Sequence, residues 1–129
     1  MPKFPKKYKL SSHKSIELLF KQNVSFFIYP FRIVWHTKTD SSKQNVVFLF
    51  SVPKTKFKHA VKRNQIKRRI KEAVRLNKHI IETQASELNI EVHIAFVYVA
   101  NTVLPYEQIQ KSIISIFEKF VNELITNEM

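Results

Sequence analysis

The sequence predicts a single α+β domain in which a helix, a group of strands, a long helix, a further strand and a last helix follow one another around a small, mostly antiparallel central sheet. Three observations predict it. A chain of 129 residues that is 44% hydrophobic and 12% aromatic has apolar surface for one core and too little for two. Segments 24–37 and 45–52 are rich in β-branched and aromatic residues, the composition of a pleated, half-buried surface. Segments 61–81 and 106–125 instead repeat apolar residues every three or four positions, the period of a helix with one buried side.

Residues 1–10 hold Pro2, Pro5 and four lysines without periodicity, which predicts a flexible basic arm that repels itself unless an anion is near. Ser11 or Ser12 can cap a helix running to about residue 23, with Ile16, Leu19 and Phe20 on one face. Pro30 divides a short strand from a longer one over 31–37, because proline has no N–H for a ladder. The polar stretch 39–44 reads as a hairpin loop, and the strand after it, 45–52, is apolar on both faces and suits a central position. The chain has no glycine, so Asn, Asp or Ser must supply any left-handed turn residue.

A buried strand is expected over 92–100 and a last helix over 106–125, entered through Pro105. Its stripe of Ile109, Ile113, Ile116, Phe117, Phe120, Val121 and Leu124 reads as core alone. Without further information Phe20, Phe26, Phe27 and Trp35 also read as core.

The charge points to a partner. Lys and Arg number 22 against 10 Asp and Glu, a formal net charge of +12. Residues 1–79 carry net +17 and residues 80–129 net −5. A merely solubilising surface intersperses its signs, so this separation favours a basic face that meets a polyanion. The longest apolar run, 94–100, is far short of the roughly 18 residues that suggest a membrane span. Lys14, Glu17 and Lys21 interrupt any secretory pattern, and the absence of Cys excludes disulfides and Cys-based zinc sites. A cytoplasmic protein with no membrane partner is expected.

The basic residues are concentrated, since 11 of the 22 lie between Lys54 and Lys78. On a helical wheel Ile66, Ile70, Ala73, Val74, Ile80 and Ile81 share one side, while Asn64, Lys67, Arg68, Lys71, Arg75, Lys78 and His79 occupy the other. A helix serving stability alone gains from Glu and Lys four residues apart, whereas here Arg63 with Lys67, Lys67 with Lys71, and Lys71 with Arg75 repel. Lys54, Lys56 and Lys58 add charge beside the helix N-terminus, where backbone amides also favour anions.

The segment Ala60-Val61-Lys62-Arg63-Asn64-Gln65-Ile66-Lys67-Arg68 resembles the Arg-Asn-Arg signature that opens the long helix of the bacterial ribonuclease P protein family. Phe50-Ser51-Val52 and Lys71-Glu72-Ala73 are similar to the flanks of that signature. Gln65 stands where the second signature Arg is usual, without charge and with fewer donors, and Lys58-His59 stand where Gly-Asn is common. The resemblance covers nearly the whole chain and implies one such domain over 11–126 with a left-handed crossover through the basic helix, against the usual hand.

It further implies that Lys54, Lys56, Lys58, His59, Lys62, Arg63, Asn64, Lys67, Arg68, Arg69, Lys71 and Arg75 contact the catalytic RNA of ribonuclease P. A cleft that takes the single-stranded 5′ leader of precursor tRNA is implied at Ile16, Phe20, Arg32, Val34 and His36. Ile16 stands where an aromatic is commoner, which weakens base stacking there.

The chain itself offers little for phosphodiester hydrolysis. Metal-dependent cleavage uses clustered carboxylates, yet the one Asp is at position 40 and the Glu residues are scattered. Five His exist, but no spacing singles out an acid and base pair. No catalytic residue, no metal ligand and no cofactor of the protein alone are therefore expected, and Mg2+ is expected with the RNA of the holoenzyme. A structural RNA-binding protein of the ribosome is the alternative. DNA is not expected as a partner, because a strand, not a partner helix, precedes the basic helix.

Overall fold

This computed structural model describes residues 4, 8, 25–38 and 46–128, with the backbone alone at 38 and 125–128. The helix expected over 12–23, with Ile16 and Phe20, the loop 39–44 and most of the N-terminal arm lie outside the described residues. Within them the chain forms β1 (Ser25–Ile28), β2 (Phe31–Lys38), β3 (Val46–Ser51), α1 (Ala60–Asn77), α2 (His79–Leu88), β4 (Glu91–Tyr98) and α3 (Tyr106–Glu128).

β1 and β2 meet at the Tyr29–Pro30 peptide, which is cis, and pair antiparallel. β2 is antiparallel to β4 and β3 is parallel to it, giving the order β1-β2-β4-β3. Two expectations change here. β4, not β3, takes the central place: β4 is buried along most of its length, whereas β3 opens to solvent over its second half. The loop 39–44 is then no hairpin, since β4 separates the strands it joins. Parallel β3 and β4 need a crossover, and α1 with α2 supply it.

The three helices cover one face of the sheet. Phe31, Ile33, Phe48, Ile94, Phe96 and Tyr98 from the strands form one cluster with Ile66, Ile70, Ala73 and Val74 of α1 and the apolar stripe of α3. Two residues of the expected arm, Phe4 and Tyr8, are also buried in it. The Phe4 ring meets Phe50 edge-on with centroids 5.4 Å apart, a favoured aromatic geometry, and so helps cover the β3 side of the sheet.

The long helix expected over 61–81 divides at Lys78, and the chain then stays helical to Leu88. Ile81 and Ala85 carry the apolar spacing of α1 onward and both are fully buried. Asn89 ends α2 at φ 54°, as the absence of glycine requires. Its N–H donates to the Ser86 carbonyl at 3.2 Å, and the Ile90 N–H donates to the Ala85 carbonyl at 3.1 Å, which satisfies carbonyls the helix leaves open.

Candidate nucleic-acid interface

Burial of Ile66, Ile70, Ala73 and Val74 fixes the rotation of α1 about its axis. The polar side of this helix, about 27 Å long at 1.5 Å per residue, must then face away from the core. Lys54, Lys58, His59, Lys62, Asn64 and Arg68 are exposed, and Lys67 and Lys71 are half-buried. His59 is the N-cap, with extended φ and ψ and no side-chain capping bond, and the first turn of α1 holds no acid. The helix amides and the surrounding cations therefore add their fields at that end.

Four of the expected contact residues also work inside the fold. The Arg63 guanidinium donates from Nη1 to the Phe57 carbonyl at 2.6 Å and to the Lys58 carbonyl at 2.9 Å, closing the loop before α1 onto the helix. Arg69 donates from Nη1 to the Leu104 carbonyl at 2.6 Å, and Lys56 donates from Nζ to the Val99 carbonyl, so both hold the link between β4 and α3. Arg75 donates from Nε to Glu72 at 3.0 Å. That bond holds the Glu72 carboxyl below its ordinary range, although partial burial opposes the effect.

Near the end of the crossover, Lys78 donates to Glu82 at 2.9 Å and to the Tyr8 hydroxyl at 3.2 Å. Burial pulls the Lys78 ammonium toward neutrality, but the bonds to Glu82 and Tyr8 outweigh it and leave the group above its ordinary range.

The sheet face away from the described helices carries Arg32, Val34 and His36 of the second expected set, whose Ile16 and Phe20 lie outside the described residues. Alternation places Arg32, Val34 and His36 on this face, opposite Val97, Ala95 and His93 of β4. Arg32 is exposed, Val34 is buried against Ala95 and Leu49, and His36 is half-buried. The His36 and His93 rings stand nearly perpendicular with centroids 5.9 Å apart, and His93 Nε2 lies 3.0 Å from Glu91 Oε2.

Phe27 does not lie in the core. Phe26 and Ile28 pack on the core while Phe27 is 59% exposed and pairs in register with Arg32. The signal was available in the sequence, because Phe26 and Ile28 share a parity that Phe27 breaks. Trp35 does join the core, its ring edge-on to Phe120 at 4.8 Å.

Among the described residues no three His, Asp or Glu side chains converge as a metal site, and no helix is long and apolar enough to cross a membrane.

Fold and surface together define a small basic α+β protein of the RNA-binding class. The family model for ribonuclease P matches residues 4–121, and the chain belongs to the ribonuclease P protein family. It is 32% identical over 127 residues to the ribonuclease P protein component of two strains of Porphyromonas gingivalis, covering 95% of this chain and 93% of the relative. The fold is similar to the Staphylococcus aureus RNase P protein, with TM-score 0.65 and 20% identity over 92% of this chain and 94% of that one. It is also similar to the RNase P protein of Thermotoga maritima, with TM-score 0.68 and 16% identity over 86% and 96%. Membership gives the chain an RNA partner within the ribonuclease P complex and a place in tRNA processing.

Proposed function

We propose that this chain is the RNA-binding cofactor of a catalytic RNA that removes the 5′ leader from precursor tRNA in the cytoplasm. One observation carries the reading: α1 turns its apolar side into the core and leaves a dense, one-sided array of cations outside. In this reading Lys54, Lys58, His59, Lys62, Asn64, Lys67, Arg68 and Lys71 meet phosphates of the catalytic RNA, and Lys56, Arg63, Arg69 and Arg75 hold the surface in shape beside them. Ile16, Phe20, Arg32, Val34 and His36 line the path of the leader.

The cations lower the repulsion between two polyanions, the catalytic RNA and its substrate. If six to ten of them contact phosphates, affinity falls about 10³ to 10⁵-fold between 50 and 200 mM salt through release of counterions.

Hydrolysis is assigned to the RNA. Mg2+ asks for carboxylates or phosphates as ligands, and a chain whose one Asp is at position 40 and whose Glu residues are scattered along the sequence fits it poorly. The Mg2+ then belongs with the RNA. The relatives and structures above are all ribonuclease P proteins, which leaves the ribosomal alternative without support.

Turnover tests the reading. The purified chain alone should leave precursor tRNA intact, and with its cognate RNA at low Mg2+ it should release the leader and leave a 5′-phosphate on the tRNA. Cleavage by the protein without RNA, or no stimulation of the RNA, would overturn it. Phe20→Ala should weaken binding of precursor relative to mature tRNA.

A further inference from the structure

Two aromatic side chains tie the start of the chain to the far end of the basic helix. Phe4 and Tyr8 are each 7% exposed. The Phe4 ring meets both Phe48 and Phe50 of β3 edge-on, with centroids 6.0 and 5.4 Å away. The Tyr8 hydroxyl donates to Glu82 Oε2 at 3.1 Å, and the Lys78 ammonium stands 4.3 Å from the centre of the Tyr8 ring, a cation–π contact. Tyr8 is thereby fixed at the residue where α1 ends and α2 begins.

At that end of the helix the cations are matched by acids. Arg75 pairs with Glu72 and Lys78 with Glu82, and the carbonyls at a helix C-terminus disfavour anions besides. The opposite end, at Lys54, Lys58 and His59, has no acid in the first turn of α1. A polyanion lying along α1 would thus lose its attraction toward Lys78 unless other cations stand there. The sequence supplies them in Lys3, Lys6, Lys7 and Lys9, with no Asp or Glu before Glu17. The covalent chain keeps the backbone of each within about 7 Å of Phe4 or Tyr8, since each is one or two residues from an anchor.

We infer that the N-terminal arm is a pinned second contact for the catalytic RNA, in which Phe4 and Tyr8 hold a run of lysines at the C-terminal end of α1 and so lengthen the basic face beyond the helix. This rests on the reading of α1 as the RNA-binding surface. Lysines this close in sequence repel one another, and pinning them does nothing to relieve the repulsion, whereas a polyanion removes it. The anchors order the arm when the chain folds, so that ordering does not oppose binding. A segment that served only to cover β3 would need the two rings and not the lysines.

The test measures affinity of the full-length protein for catalytic RNA alone, across a salt series, beside thermal melts. The proteins are wild type, the double variant Lys6→Ala with Lys7→Ala, Tyr8→Ala, and Arg68→Ala as the reference on α1. The double lysine variant should flatten the slope of log affinity against log salt by roughly 1.4 to 1.8, twice the value for one phosphate contact, with an unchanged melting temperature. Tyr8→Ala keeps the lysines, so its slope should match wild type. Its affinity should fall about 5- to 30-fold, what ordering the backbone of one residue costs when it happens at binding.

A wild-type slope in the double lysine variant would overturn the inference, and that variant leaves the core untouched, so the result stands even if Tyr8→Ala folds poorly. Unchanged affinity in a folded Tyr8→Ala would overturn the pinning. Loss that appears only when precursor tRNA is added would overturn the assignment to the catalytic RNA. In each case a flattened slope in Arg68→Ala shows that the reading of α1 survives, and a wild-type slope there shows that it has failed.

Discussion

The Arg63 guanidinium turns away from solvent to bond the carbonyls of Phe57 and Lys58, at 2.6 and 2.9 Å. A cation of the helix signature is thus spent on the loop that carries Lys54, Lys56 and Lys58, and it orders other cations without needing a phosphate of its own. Arg68, five residues on, is exposed.

Arg63 and Arg68 should therefore fail differently. Arg68→Ala removes a phosphate contact, so the slope of log affinity against log salt should flatten by roughly 0.7 to 0.9, with thermal stability unchanged. Arg63→Ala removes two charge-assisted bonds, one part-buried to Phe57 and one exposed to Lys58, so stability should fall by about 1 to 2 kcal/mol, and affinity should fall as the loop loses its shape. Salt titrations of catalytic-RNA binding, paired with thermal melts, separate the two. Equal melting temperatures would refute the structural role of Arg63.

Much of this was legible in the sequence because helical periodicity is a one-dimensional signal. The inward side of α1 and the stripe of α3 follow from spacing alone, and Pro30 marked the division of β1 from β2. Strand order was not legible, because an apolar strand reads alike in a central place or at the side of a sheet. β3, with Val47 and Leu49 on one face and Phe48 and Phe50 on the other, looked central, but pairing across the chain gave that place to β4. α2 was missed because Glu82 to Gln84 and Ser86 to Glu87 interrupt the eye between Ile81, Ala85 and Leu88. Of the candidate sites, the basic face could be read from a wheel. The inward use of Arg63 and Arg69 could not, since their acceptors are backbone carbonyls of other segments, and every sequence has those.

Asn89 gives a clean test of the chain's lack of glycine. At φ 54° it occupies the left-handed region, which costs a residue with a Cβ about 1 to 2 kcal/mol. Asn bears this better than most, and Gly bears none of it. Asn89→Gly should leave the melting temperature equal or higher, whereas Asn89→Val should destabilise the fold by about 1 kcal/mol or more. Urea denaturation of the two variants measures the difference, and RNA affinity should not change in either.

The Glu72–Arg75 pair predicts a dependence on pH. The bond from Arg75 holds the Glu72 carboxyl below its ordinary 4.5, so the folded state binds that proton less readily than the unfolded state does. The stability the pair contributes is present above the unfolded value and is lost as pH falls through the lower, folded one. Glu72→Gln should thus melt below wild type at pH 7, with the gap closing under about pH 4.5. The pair is partly open to solvent, so the gap should also shrink as salt is raised. A gap that persists unchanged in acid would show that Glu72 acts by packing and not by charge.

Two side chains converge on Leu104 at the start of α3. The Tyr98 hydroxyl accepts a bond from the Leu104 N–H at 3.1 Å and donates one to the Thr102 carbonyl at 2.6 Å, while Arg69 of the basic helix takes the Leu104 carbonyl. Burial pushes the Tyr98 phenol above its ordinary range, so it stays protonated and able to donate. Tyr98→Phe keeps the ring in the core and deletes both bonds, which should cost about 1 to 3 kcal/mol because a partly buried N–H and carbonyl lose their partner. Arg69→Ala should cost less alone. Because the two residues hold the N–H and the carbonyl of one residue, Leu104, the double variant should fall short of the sum of the singles. Denaturation of the four proteins measures that shortfall. Strict additivity would mean that Arg69 and Tyr98 hold the loop independently, and that the basic helix is not anchored through Leu104.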